Sequence, residues 1–165
     1  MDAKEILGLA YLAAKKSPDP RTQVGAVLFA QSGAIVRGFN APFGEFDTQR
    51  YLRSKKYRHA ITVHAELSTV INAASVGERT DRGTLYAPWS ACRHCASVII
   101  AAGIGKLVRH EDLMVSVSTE FPHWVDTIAE SDAALQAAGI EICEISGVID
   151  ADPIRIDGEL FYPGG

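Results

Sequence analysis

Only three cysteines occur in 165 residues, an odd number and too few for the disulfide framework of a secreted protein. A reducing, cytoplasmic setting is the expectation. Basic residues are not in excess: 16 Lys and Arg against 20 Asp and Glu give a formal charge of −4. A dedicated duplex binder usually carries surplus cations to displace counterions from phosphates, so nucleic acid is disfavoured as the main partner. A small anion needs only two or three local cations and stays open. No apolar run approaches the ~20 residues of a membrane span, so no membrane partner is expected. The stretch Ile6 to Ala14 also fails as a secretory signal, because Asp2 and Glu5 stand where positive charge belongs and no small-residue cleavage site follows. Collagen-like, coiled-coil and repeat architectures are excluded by the absence of a Gly period, a sustained heptad or a repeat. General disorder is excluded as well, since 47% hydrophobic against 22% charged residues is ordinary for a globule. The length predicts a single domain over 1–165 with enough core to fold without staples. Residues 152–165 read as a tail that packs loosely or touches another subunit.

Ile6, Leu9, Ala10 and Ala13 fall at i, i+3, i+4 and i+7, an amphipathic helix ended by Pro18 and Pro20. Gln23–Phe29 and Ala34–Phe39, joined by Gln31-Ser32-Gly33, read as a hairpin. Residues 41–58, rich in charge (Glu45, Asp47, Arg50, Arg53, Lys55, Lys56, Arg58), read as a long loop, either a solvated excursion or an anion-collecting flap. Leu67, Val70, Ile71 and Ala74 predict a helix over 64–76 packed by that face. A strand at 83–87 precedes a helix over 93–102, with Ala96, Ile99 and Ile100 inward and Gly103 at its end. A strand at 106–109, one long helix from Phe121 to Ala138 and a strand at 140–143 follow. This alternation means an α/β sheet covered on both faces. Gly103-Ile104-Gly105 precedes a strand rather than following one, so it is a turn and not a nucleotide-cofactor fingerprint.

The chemistry lies in two segments, His64-Ala65-Glu66 at a helix start and Pro88-Trp89-Ser90-Ala91-Cys92-Arg93-His94-Cys95 where a strand turns into a helix. Two cysteines three apart at a helix N-terminus can point both sulfurs at one centre, and the helix end favours their thiolate forms. His64, on the face of Leu67 and Ile71, is expected to turn its ring inward, toward the neighbouring strand-helix corner. A structural zinc takes four protein ligands, whereas a catalytic zinc takes three and leaves the fourth position to water. Glu66, two residues from His64, is placed to handle that water's proton. On its own the C-x-x-C fits a redox pair, two buried thiols or half of a structural zinc site, with Cys143, His59, His94, His110 or His123 as a possible fourth ligand. The H-A-E segment 28 residues upstream favours the three-ligand catalytic reading.

With H-x-E followed by C-x-x-C, the chain resembles the zinc-dependent cytidine deaminase superfamily. Asp19-Pro20-Arg21-Thr22-Gln23-Val24-Gly25-Ala26-Val27, Gly38-Phe39-Asn40 and Lys56 through Glu66 look like its deoxycytidylate deaminase branch. Ala102-Gly103-Ile104 and the segment from Phe121-Pro122 to Ala138-Gly139-Ile140-Glu141-Ile142 fit as well. The resemblance implies a three-layer α/β/α sandwich with a mixed five-stranded sheet. It implies hydrolysis of the exocyclic amine of a cytosine nucleotide, with Zn2+ held by His64, Cys92 and Cys95 and Glu66 moving the proton. Ala65 would offer its backbone N–H to the base, and Asn40 would bind the sugar. Arg21, Gln23 and Val24 would form the segment that reaches the 5′-phosphate, which suits a guanidinium. Trp89 and Ser90 would line the pocket, with Trp89 stacking on the base or walling off water, or else sitting in the core. The expected partner is a small cytosine nucleotide, and relatives assemble as homo-oligomers, dimers or hexamers. The chain departs from the pattern in two places: Ala91 replaces the usual Pro before Cys92, and Leu67-Ser68-Thr69 replaces an Asn after Glu66. Between Asn40 and His64 there is no Cys/His set for a second zinc. Other amine substrates (a nucleoside, a 5-modified cytosine nucleotide, guanine, a tRNA base) and a non-catalytic zinc module are the alternatives.

Overall fold

The apolar run after Val24 and the turn at Gly33 form the expected antiparallel hairpin, β1 (Gly25–Phe29) with β2 (Ile35–Phe39). In the computed structural model, which describes residues 1–165, β1 also pairs antiparallel with β3 (Thr84–Tyr86). β3, β4 (Lys106–His110) and β5 (Glu141–Ile145) run parallel, giving a mixed five-stranded sheet of order β2-β1-β3-β4-β5. Helix α1 (Ala3–Ala14), capped by Asp2 and Glu5 in a reciprocal capping box, covers one face. Helices α4 (Ala65–Ser75), α5 (Arg93–Ala101) and α7 (Val125–Ala137) cover the other. The three-layer α/β/α sandwich is therefore as the sequence leads one to expect. No helix is long and apolar enough to cross a membrane.

Several local expectations are corrected. Residues 41–58 are not a continuous loop: α2 (Thr48–Arg53) and α3 (Lys55–Ile61) occupy most of the segment, each capped by a side chain, Asp47 on the Arg50 N–H and Ser54 on the Tyr57 N–H. Tyr51 is fully buried, and Arg58 is buried against Asp19, with 3.4 Å between Nε and the carboxylate. The helix expected from Phe121 is broken, since Pro122–Trp124 forms a 3-10 turn before α7, and an unanticipated α6 (Glu111–Glu120) precedes it. Ile100 points partly to solvent, and α5 buries Cys95, Ala96 and Ile99 instead.

The expected inward face of α4 is also displaced. It buries Ala65, Glu66, Ser68, Thr69 and Ala73, while Ile71 is exposed. The reason is Gly38. A Cβ there would lie 2.4 Å from the Thr69 hydroxyl, 2.5 Å from its backbone N and 2.8 Å from the Ala65 carbonyl. The helix rides so low on β2 that only small or polar side chains fit beneath it, and the larger aliphatics take the flank.

The tail is not loose. Ile154, Ile156 and Ile149 are buried with Leu7, Tyr11, Val108 and Leu113 in a second core cluster. Residues 154–161 form a hairpin, β6 (Ile154–Ile156) with β7 (Glu159–Phe161), turned by Asp157-Gly158 at φ of 49° and 96°. Both turn residues at positive φ match the hairpin turn that Asp-Gly favours.

The end of β4 sends Arg109 and His110 to opposite faces of the sheet, as alternation along a strand requires. His110 is completely buried, with Nδ1 2.7 Å from the Tyr11 hydroxyl and Nε2 3.1 Å from the Gly147 carbonyl. A carbonyl can only accept, so Nε2 carries the proton and Tyr11 donates to Nδ1. Burial holds the imidazole below its usual pKa and pushes the Tyr11 hydroxyl up. Folding thus requires a neutral ring, and the native state binds fewer protons here than the unfolded chain. This contribution to stability is full above the unfolded value near 6.5 and is lost as pH falls toward the lower folded value. Urea titrations at pH 7.5 and 5.5 are expected to show wild-type stability falling with acid and His110→Gln, less stable at pH 7.5, falling less steeply.

Candidate metal centre

Ala87 and Pro88 are hung on β4 by two backbone bonds, Ala87 N–H to the Val108 carbonyl (3.0 Å) and His110 N–H to the Pro88 carbonyl (3.1 Å). The chain then turns through Ser90 and Ala91 into α5, with Cys92 as N-cap and its sulfur accepting from the Cys95 N–H at 3.4 Å. Across from it, an isolated bridge between Ala41 and Val63 delivers His64 to the N-terminus of α4. His64 Nδ1 lies 3.5 Å from Cys92 Sγ and 3.5 Å from Cys95 Sγ.

These separations fit zinc. With Zn–S near 2.3 Å and Zn–N near 2.0–2.1 Å, a tetrahedron has N···S edges of about 3.6 Å. His64, Cys92 and Cys95 form the cluster alone, and none of the other His or Cys residues joins it. His110 is engaged by Tyr11, and Cys143 lies against Glu141. Three donors leave one tetrahedral position open, as in a catalytic rather than a structural site. Hydrogen bonding from Cys95, more than that from His64, brings the Cys92 thiol down to about 3. Hydrogen bonding to Cys92 and then burial push Cys95 up, and the Cys92 contact raises His64. One thiolate is thus already favoured, and a bound cation would favour loss of the second proton. His64, the N-cap of α4, is an exposed residue whose ring nonetheless faces the strand-helix corner of Cys92 and Cys95, as expected.

Glu66, one turn position on, is 4% exposed, and burial pushes its carboxyl above the usual range. Ala65, fully buried, is the first residue of α4, so its N–H has no acceptor within the helix. Asn40 is buried between the two chain segments. Its Oδ1 accepts from the Val24 N–H (2.8 Å) and its Nδ2 donates to the Thr22 carbonyl (2.8 Å).

The segment 21–24 is held from its other side by the β6–β7 hairpin. Gln23 donates its N–H to the Arg155 carbonyl (2.8 Å), and its Oε1 accepts from the Arg155 N–H (3.1 Å). Thr22 Oγ1 accepts from the Asp157 N–H (3.1 Å). The Arg21 guanidinium, more than half exposed, donates to the Asp157 carbonyl (2.7 Å) and carboxylate (3.2 Å). Trp89 is half-buried, edge-on to Trp124 with ring centroids 5.5 Å apart, and packs on the Leu7–Ile154 cluster. With Gln23, Val24, Pro88, Ile154 and Ile156 it lines a narrow cleft.

Sequence reasoning missed the support beneath the Cys92 turn. Ser90 Oγ lies 3.2 Å from Arg109 Nη1, and Arg109, 5% exposed, donates to Asp132 of α7 (2.8 and 3.0 Å) and Glu144 of β5 (2.6 Å). An Arg inside a core strand was the available signal, since it demands buried partners.

A family model described as the cytidine and deoxycytidylate deaminase zinc-binding region matches residues 1–111. An uncharacterized deaminase in the luxG 3′ region of Aliivibrio fischeri is 30% identical over 141 residues, covering 85% of this chain and 90% of that protein. The deoxycytidylate deaminase of Enterobacteria phage T4 is 26% identical, covering 88% and 90%. Among solved structures, the apo dCMP deaminase of cyanophage S-TIM5 superposes with a TM-score of 0.66 at 21% identity, covering 87% of this chain and 96% of that one.

Proposed function

The chain belongs to the cytidine and deoxycytidylate deaminase family, and from that premise we propose that it hydrolyses deoxycytidine monophosphate to deoxyuridine monophosphate and ammonia. The observation that carries this reading is the open three-donor site with a buried carboxyl beside it, His64, Cys92 and Cys95 with Glu66. The phage relative named deoxycytidylate deaminase supports the choice of substrate.

His64, Cys92 and Cys95 would hold zinc, which when bound would supply the Lewis acidity that makes water acidic near neutral pH. Glu66 would take one proton from the water as its oxygen bonds to C4 of the base and deliver it to N3, then take the second from the new C4 hydroxyl and give it to the amine as the C4–N bond breaks. The balance is one water consumed and one ammonia released. A carboxyl raised by burial suits a group that must hold a proton for part of the cycle. The free N–H of Ala65 faces the base carbonyl in this reading, Asn40 takes the sugar hydroxyl, and Arg21 takes the phosphate by leaving Asp157. Trp89 and Ser90 form the wall beside the base. Assembly as a homo-oligomer belongs to the same proposal.

A second reading, the same hydrolysis of an unphosphorylated nucleoside, draws on Arg21 and Gln23, whose side chains both engage the hairpin. Ammonia release from dCMP, CMP, deoxycytidine, dCTP, 5-methyl-dCMP and guanine separates the two. The proposal expects dCMP to have the highest kcat/KM, with deoxycytidine at least about 100-fold lower, the value of a charge-assisted phosphate contact of roughly 3 kcal/mol. Equal turnover of deoxycytidine would overturn the monophosphate assignment, and turnover of guanine alone would overturn the cytosine assignment.

A further inference from the structure

We propose that Arg109 is a positioning residue for the metal site, holding the Ser90–Cys92 turn through Ser90 and anchored in turn by Asp132 and Glu144. The inference rests on the metal-binding reading of His64, Cys92 and Cys95, but not on any particular substrate.

Arg109 is an unusual occupant of its place. Its side chain is 6% exposed, among the fully buried Leu107, Leu135 and Ile99 of the same layer. Burying a guanidinium costs more than burying an aliphatic side chain of similar volume, so the core alone gives no reason for it. Its Nε also has no hydrogen-bond partner, so the group is not there because the site satisfies it completely. What the guanidinium does is tie four elements together at one buried point: β4, β5 through Glu144, α7 through Asp132, and the turn through Ser90. The two carboxylates fix the plane of the fork, Asp132 taking Nη1 between its oxygens at 2.8 and 3.0 Å and Glu144 taking Nη2 at 2.6 Å. Ser90 Oγ, at 3.2 Å, is therefore held by a rigid donor two residues before Cys92.

The turn needs such a support. Its residue before Cys92 is Ala91, whose backbone is free where a proline would be fixed in φ. The sulfur of Cys92 must stay within a few tenths of an ångström of its tetrahedral position for tight binding. A second tie runs on the outside, from Arg93 to Glu130 of α7 at 3.2 Å, but both partners are well exposed and contribute little. The buried fork is the stronger of the two.

The test reads metal binding directly. Zinc-loaded protein is challenged with a chromophoric chelator, and the cobalt-substituted protein is examined by visible absorption. Arg109→Met is expected to weaken zinc binding about tenfold, the lower end for groups that orient metal ligands from behind, and to shift or broaden the cobalt bands. Arg109→Lys, which keeps the charge without the fork, is expected to fall between. Leu7→Ala, in the core on the opposite face, controls for general destabilisation. Equal weakening in Leu7→Ala and Arg109→Met, or wild-type zinc affinity in folded Arg109→Met, would overturn the assignment. Should Arg109→Met fail to fold, Ser90→Ala removes only the hydroxyl: about threefold faster zinc loss is expected, and an unchanged rate would overturn the proposal. None of these readouts depends on which amine substrate is turned over.

Discussion

Glu66→Gln protein is expected to fold, to bind zinc at one per chain and to lose about 10³- to 10⁴-fold in kcat for ammonia release from dCMP. The substitution keeps the volume and a hydrogen-bonding end group in a site where the carboxyl is 4% exposed, so the change in stability should be small. It removes the one group near the metal that can both accept and return a proton. Zinc content by atomic absorption together with single-turnover ammonia release checks it. A Gln variant that retains a tenth of wild-type kcat would mean that the proton travels by another route and that Glu66 only shapes the pocket. Glu66→Asp makes a useful companion: it retains the acid but withdraws it by one methylene, and it should sit between the two.

The second large effect is expected from a residue that touches no substrate. Gly38→Ala places a methyl group 2.4–2.8 Å from the Thr69 hydroxyl and backbone N and the Ala65 carbonyl, two of the three being backbone atoms that cannot swing aside. The helix must lift from β2. Overpacking of this kind costs about 1–3 kcal/mol, and the rigid neighbours put Gly38→Ala at the upper end. The same lift moves the start of α4, where His64, Ala65 and Glu66 sit in the first turn, so kcat is expected to fall at least about tenfold at temperatures where the variant is still folded. Geometry errors near 1 Å are enough for such losses. Thermal melts and kcat measured well below the melting range check both parts. Unchanged kcat in a destabilised variant would show that the sheet side of α4 yields without moving its tip.

Gly38 also explains what could and could not be read from the chain. His64, Glu66, Cys92 and Cys95 were legible because their meaning lies in short spacings, two and three residues, that chemistry constrains directly. The α/β class followed from the alternation of apolar runs with helical periods, whereas the order of the strands did not. The inward face of α4 was not legible, since Leu67, Val70 and Ile71 carry the stronger apolar period while the true contact face is Ala65, Thr69 and Ala73 against a glycine on another strand. That preference is tertiary and leaves no mark within the helix itself. Helices α2 and α3 escaped notice because their signals are caps, Asp47 and Ser54, rather than an apolar stripe. The C-terminal hairpin did carry a signal, Ile-Arg-Ile followed by Asp-Gly, but strands of three residues fall below what alternation alone can establish. Arg109 was visible as a misfit in Leu107-Val108-Arg109-His110. Its partners at 132 and 144 were not.

The clasp between that hairpin and residues 21–24 has a kinetic consequence. Its hydrogen bonds join positions 132 to 136 apart in the chain. Closing a loop of that size costs about 4 kcal/mol of chain entropy before any contact is gained. A two-stranded hairpin has little stability of its own, so it cannot nucleate the closure and must wait for the core to receive it. Contacts of this range form late. The metal-binding residues, whose segments are 28 positions apart, are assembled by much shorter closures. Folding is therefore expected to complete the centre first and the wall beside it last, so that in pulse-labelled exchange the Gln23, Arg155 and Asp157 amides gain protection after that of Cys95.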